Sequence, residues 1–195
     1  MSEPMTHPES DPTRTLRDGA HALLDALTAE GGTVAAHLAE PRADRHGLDR
    51  PGPAQVAATG PRTRGREREY ELLVEMILEG YRLHYDEPVV VCPEDPDLAL
   101  LLGDQLYALG LARLAELGDL EAVVELADVI SLAAQAHSAS DADLARVVWE
   151  AGAVSVGWGA SDAHRRAKTR ARVHDPDASP ALRAAAMSAR GDGDL

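Results

Sequence analysis

The sequence predicts an all-α fold, a compact antiparallel helical bundle with a flexible N-terminal arm. Three observations lead there. Apolar residues recur at helical spacing through most of residues 70–173. The core has to be built from Leu, Val and Ala, because the 195 residues include two Trp, four Tyr and no Phe. Ala and Leu favour helix, whereas sandwiches and barrels lean on β-branched and aromatic residues. Val89-Val90-Val91 is the only β-like triplet, and no longer strand-period run occurs.

Taken in order, residues 13–30 form an amphipathic helix, with Leu16, Ala20, Leu23, Leu24 and Leu27 on one face and Gly31-Gly32 ending it. Residues 41–68 are rich in Pro, Gly and Arg without periodicity and read as a linker or disordered arm. Residues 1–69 are therefore expected to be mostly flexible arm with one helix. The helical domain is expected over 70–173. Within it, a helix over 66–84 carries the stripe Tyr70, Leu73, Val74, Ile77, Tyr81 and His84. Asp95 caps the next, with Pro96 at its first position, and its apolar positions run from Leu98 to Leu114. This Leu98 helix is expected to be central. Asp119 opens a third helix ending near Ser138, antiparallel to the Leu98 helix across the Gly118-Asp119 connection. A fourth starts after Ser140 or Asp141 and stops at Gly157-Trp158-Gly159. Ser161 caps a basic helix to about Val173, and residues 174–195 hold a short Ala-rich helix near 180–190 and a frayed tail.

With 19 basic and 33 acidic residues the net charge is −14, which argues against a general nucleic-acid binder or an anionic-membrane binder. The lone Cys92 excludes an internal disulfide framework and fits a reducing compartment. The N-terminal MSEPMTHPES has no signal-peptide character, and no run approaches the ~20 apolar residues of a membrane span. A soluble cytoplasmic protein is expected.

Candidate chemistry is sparse. His84, Asp86 and Glu87 stand together where an apolar helix runs into a proline-rich loop, and oxygen and imidazole ligands of this kind suit a divalent cation. The alternative is a histidine at a helix C-terminus followed by solvated acids. His137 ends its own apolar stripe in the same way. Asp104 falls among leucines and should be buried and paired, with Arg82, Arg113 and Arg146 the only bases between residues 70 and 162. No Walker loop, GxGxxG, GxSxG or HExxH sequence occurs. Gly103 and Gly110 lie seven apart on the face of the Leu98 helix that includes Leu102, Leu106 and Leu109. That face is expected to be an interface, since a helix apolar nearly all round is hard to cover within a small domain.

The segment GDQLYALGLARLAELGDLEAVVELADVISLAAQAH, residues 103–137, resembles the helix pair of the trans-prenyl diphosphate synthase family, with its GD-x-L-x-A helix, short GD-type turn and small-rich second helix. The preceding EMILEGYRLHYDEP is similar to the family helix that ends in H-D-D-x-x-D, with His84 on the histidine and Asp86 on the second aspartate. The resemblance spans residues 70–138 and implies part of an isoprenoid-synthase-like fold. Tyr85 and Val89 replace the first and last aspartates, the following arginine pair and glycine are missing, and no second DDxxD occurs. It therefore implies a noncatalytic subunit, with no cofactor unless the degenerate aspartate site still binds magnesium. The implied partner is a second copy or a catalytic prenyl synthase of isoprenoid or quinone side-chain synthesis. Two other readings stand beside it: a structural adaptor of a larger assembly, and a metal-dependent enzyme using His84, Asp86 and Asp104.

Overall fold

Local capping chemistry fixes most helix ends. The computed structural model describes residues 14–41 and 47–191. Expectations for 1–13, 42–46 and 192–195 lie outside the described residues. Thr15 caps α1 (Leu16–Glu30) in a reciprocal box with Asp18, and Gly31, at φ 74°, stops it. Two short helices follow, α2 (Gly32–Ala35) and α3 (Pro53–Ala58), then a single 3-10 turn, Pro61–Thr63. The main helices are α4 (Glu67–Tyr85), α5 (Pro96–Glu116), α6 (Leu120–Ser138), α7 (Ala142–Trp158), α8 (Asp162–Arg172) and α9 (Ala178–Gly191). Asp95, Asp119, Asp141 and Ser161 each cap a helix through a side-chain oxygen, as their positions predict. Among the described residues there is no strand, only a bridge between Leu38 and Val91.

The described stretch 47–68 of the segment expected to be a linker packs into the core. Ala54, Ala57 and Ala58 of α3 are buried, and α3 packs on α4 and α7. The reason is a backbone crossing: a Cβ on Gly60 would lie 2.1 Å from the Gly157 carbonyl oxygen, so glycine at 60 lets this segment sit on α7. Arg62 then donates to the Val156 carbonyl at 2.9 Å, and the Thr63 hydroxyl lies 3.0 Å from the Ala57, Ala58 and Gly60 carbonyls. The α1 helix is likewise docked, with Ala20, Leu23 and Leu27 buried alongside Met76 and Leu83 of α4.

The centre of the molecule is α4, not the Leu98 helix. It supplies Tyr70, Leu73, Val74, Ile77, Leu78 and Tyr81 to a core shared with α6, α7, α8 and α9. Its Met76 and Leu83 enter a second core with α1, α5 and Val89-Val91. The α5 helix lies along α4 and meets α6 much less, whereas α6 packs on α7. The glycines mark the α4–α5 crossing. A Cβ on Gly103 would come within 2.7 Å of the His84 ring, and one on Gly110 within 2.5 Å of Ile77 Cγ1. The close approach that Gly103 and Gly110 allow is thus made inside the chain, and Leu102 and Leu106 are buried there, with Leu109 half-buried beside them.

Asp119 joins three parts of this frame. Its carboxylate caps Ala122 at 3.0 Å, accepts the Tyr70 hydroxyl at 2.7 Å and pairs with Arg62 at 3.1 Å. Burial and the Asp119 hydrogen bond push the Tyr70 hydroxyl up to about 12. Replacing Asp119 by Ala should cost about 2 kcal/mol, a cap plus a charged hydrogen bond. The measurement is the urea midpoint, and an unchanged midpoint would show that the junction is not structural.

Candidate functional site

The α4 helix carries an unusual burden of buried charge. Glu71, Glu75 and Glu79 recur at four-residue spacing, so they stack on one face, and Arg82 follows one turn on. Glu75 and Glu79 are fully buried and Arg82 is 7% exposed. Arg82 donates to Glu75 Oε1 at 2.7 Å and to Glu79 Oε2 at 3.0 Å. The other oxygen of Glu79 accepts three backbone N–H groups, from Val89, Val90 and Val91, at 2.7, 2.6 and 2.9 Å. This explains why the β-like triplet is ordered without a sheet: its donors end on a carboxylate, the Val90 carbonyl accepts the Ala39 N–H, and just beyond the triplet Cys92 donates to the His37 carbonyl. Glu71 accepts from Gln55 at 3.1 Å and pairs with Arg14, which ties α1 and α3 to the same stripe. Glu75 Oε2 has no hydrogen-bond partner among the described residues. Burial pushes the Glu75 carboxyl above its ordinary range, although Arg82 pulls the other way.

The C-terminal end of α4 divides the sequence-predicted residues between two surroundings. His84 Nε2 lies 3.2 Å from Asp104 Oδ1, and its ring stacks on Tyr107 at 5.4 Å. Asp104 is not buried: its side chain is 71% exposed, on the flank of α5 beside His84 and outside the seam that Gly103 and Gly110 form with α4. None of the three candidate arginines pairs with it. Arg82 serves Glu75 and Glu79, Arg113 pairs with Glu30, and Arg146 bridges Asp143 and Glu150. Asp86 instead lines a cleft of about 810 Å³ between α3, α4, α6, α7 and α9. Its carboxylate accepts the Glu87 N–H at 2.8 Å, and Glu87 is exposed in the loop.

An aromatic cluster lines the same cleft. His137 stacks on Tyr85 at 4.6 Å and shares a 2.7 Å hydrogen bond with the Tyr81 hydroxyl, and Tyr81 lies 5.3 Å from Trp149. Burial pushes the Tyr81 hydroxyl up to about 12. So His84 and Asp104 meet on one side of α4, while Asp86 and His137 lie on the other. Among the described residues no group of three or more His, Cys, Asp or Glu side chains is placed to hold a metal ion. The set His84, Asp86 and Asp104 does not converge.

A second buried network was not anticipated. Glu125 of α6 accepts from Lys168 of α8 at 2.6 Å and is bonded to His164 at 2.7 Å, and Asp128 joins Lys168 at 2.8 Å and Arg172 at 2.7 Å. The charge contrast between an acidic core and a basic α8 is the sequence signal for it. Burial opposes ionisation of Glu125 and Asp128, but His164, Lys168 and Arg172 outweigh it, so both carboxyls sit below their ordinary range. Stability from such groups is present above their unfolded values, near pH 4, and is lost as pH falls through the lower folded values. Acid unfolding should therefore be shallower for Lys168→Met than for the native chain, as read from urea midpoints between neutral and acid pH. Equal pH slopes would show that the pair contributes nothing.

The surface is most unusual along α5. Its 21 residues have a mean hydropathy of 1.3 in their most apolar window, of which 28% is buried, so by length and composition this helix could cross a membrane. The expectation that no run is that apolar is corrected here, because the few charges sit near the helix ends and at Asp104. Leu100 and Leu101 are 45% and 66% exposed, and Ala108, Ala112 and Ala115 continue the outward face. Beyond the turn, Leu120 and Val124 of α6 are also exposed. Comparison of the chain with family models, with curated proteins and with solved structures finds no match.

Proposed function

We propose that the chain is a noncatalytic, prenyl-synthase-like subunit that works by docking on a partner protein, either a second copy or a catalytic polyprenyl diphosphate synthase of isoprenoid or quinone side-chain synthesis. The observation that carries this reading is the outward face of α5, apolar from Leu101 to Ala115 apart from Asp104 and Gln105. Exposed apolar surface of this extent is a recognition surface or an aggregation hazard. The end of α4 supports the noncatalytic part. Where the synthase motif has its first aspartate, Tyr85 stacks on His137. Where it has its last, Val89 is buried with its N–H on Glu79. Ionising an allylic diphosphate requires several carboxylates holding metal ions, and here Asp86 alone remains at that place.

The test is a prenyl-transfer assay with isopentenyl diphosphate, an allylic diphosphate and magnesium. The chain alone should give no elongation. Added to a catalytic polyprenyl synthase, it should change product length, and Leu101→Glu should abolish that change. Elongation by the chain alone, or identical products with and without it, would contradict the reading.

A further inference from the structure

We propose that the cleft between α3, α4, α6, α7 and α9 binds a small organic monoanion with an apolar body, of the long-chain carboxylate class. This is independent of partner docking, which uses the opposite, α5, side of α4. The cleft's volume, about 810 Å³, is that of a small-molecule site. Its wall is apolar, built by Leu78 of α4, Val147, Ala151 and Val154 of α7, and Ala186 and Met187 of α9. Trp149 lies in the same wall, 3% exposed, and its indole N–H has no acceptor among the described residues. Buried donors normally have one.

Charge sets the chemistry of the other end of the ligand. Arg82, Arg146, Arg183 and Arg190 line the cleft against Asp86 and Glu150, although the chain's net charge is −14. Most of this positive charge is already compensated. Arg82 is held by Glu75 and Glu79, Arg146 by Asp143 and Glu150, and Arg183 by Asp143. Arg190 makes no ion pair among the described residues, and its guanidinium lies 5.6 Å from the centroid of the Trp158 ring. One guanidinium without an ion pair among the described residues, beside an apolar wall, favours one negative charge, and a planar carboxylate matches its fork of donors. A dianion would face Asp86 and Glu150 undercompensated.

The experiment titrates the full chain, carrying Trp158→Phe so that Trp149 is the sole indole, with dodecanoate below its micellar concentration. Dodecanol, dodecyltrimethylammonium and dodecyl phosphate serve as comparators. A saturable change in Trp149 fluorescence is expected, with dodecanoate binding about tenfold more tightly than dodecanol, the value of one charged hydrogen bond. Arg190→Gln should remove that advantage and leave dodecanol unchanged, whereas Met187→Glu, which puts a charge into the apolar wall, should weaken dodecanoate and dodecanol alike. Both positions are exposed, so the fold survives, as circular dichroism will verify. The proposal is overturned by the absence of saturable binding, by equal affinity for the cationic or tighter affinity for the phosphate amphiphile, or by unchanged dodecanoate affinity in Arg190→Gln.

Discussion

Replacing Arg82 by Met should destabilise the protein by about 3–5 kcal/mol, the cost of leaving a buried carboxylate without its partner. The size follows from geometry. Arg82 is the cation within reach of both Glu75 and Glu79, and these two side chains are inaccessible to solvent. Without the guanidinium, two carboxylates one turn apart must either repel in a low dielectric or take up protons. Glu79 Oε1 also holds three backbone N–H groups of the 89–91 segment, so any displacement of this side chain breaks those bonds too. The loss should therefore reach α1 and α5, which share the second core with that segment. Glu75→Gln should behave differently. The Glu75 carboxyl is already raised by burial, so the neutral amide avoids a desolvation cost, and the change in stability should stay within about 1 kcal/mol. Denaturant unfolding of both variants separates the cases. Equal losses would show that the charge of Arg82 is not what holds the cluster.

The second large effect is steric. Gly60→Ala should cost about 3 kcal/mol, at the upper end for overpacking, because the added carbon would stand 2.1 Å from the Gly157 oxygen and 2.2 Å from its carbonyl carbon. Both obstacles are backbone, so no rotamer change relieves them. The backbone of Gly60 itself is ordinary, at φ −76° and ψ 160°, so the penalty belongs to the crossing and not to a strained conformation. Gly65→Ala is the contrast. Its Cβ would meet nothing within 4 Å, but its φ is 83°, so a smaller cost of about 1 kcal/mol is expected from backbone strain alone. Thermal melts should rank the two in that order, and a reversed order would contradict the crossing.

The helices from α4 onward were legible because their signals are local. Asp95-Pro96, Asp119 and Ser161 cap where the sequence places them, Asp141 is the one of the two open starts that caps α7, and Gly118 and Gly159 adopt the positive φ that ends a helix. The α3 helix was not legible. Six residues cannot display a helical period, Pro and Gly flank them, and their burial depends on a Gly60–Gly157 contact between residues distant in sequence. Asp104 was misplaced for a related reason. On a helix apolar nearly all round, periodicity cannot say which face turns inward, and the face chosen by Gly103 and Gly110 excludes Asp104. The same ambiguity made α5 look central. The Glu71, Glu75 and Glu79 series carried a readable sign of its function, since acids at four-residue spacing with Arg82 three residues after the last form a paired stripe. Its burial became visible only with α1, α3 and the 89–91 segment packed around it.

We propose above that the outward face of α5 docks on a protein partner. Sedimentation velocity of the full chain over a wide concentration range, alone and mixed with a catalytic polyprenyl diphosphate synthase, tests it most directly. A complex heavier than the monomer should form in at least one of these settings and disappear in Leu101→Glu, a change at a side chain 66% exposed that leaves the fold intact. A well-behaved monomer in every setting, or a complex that Leu101→Glu leaves untouched, would contradict the account.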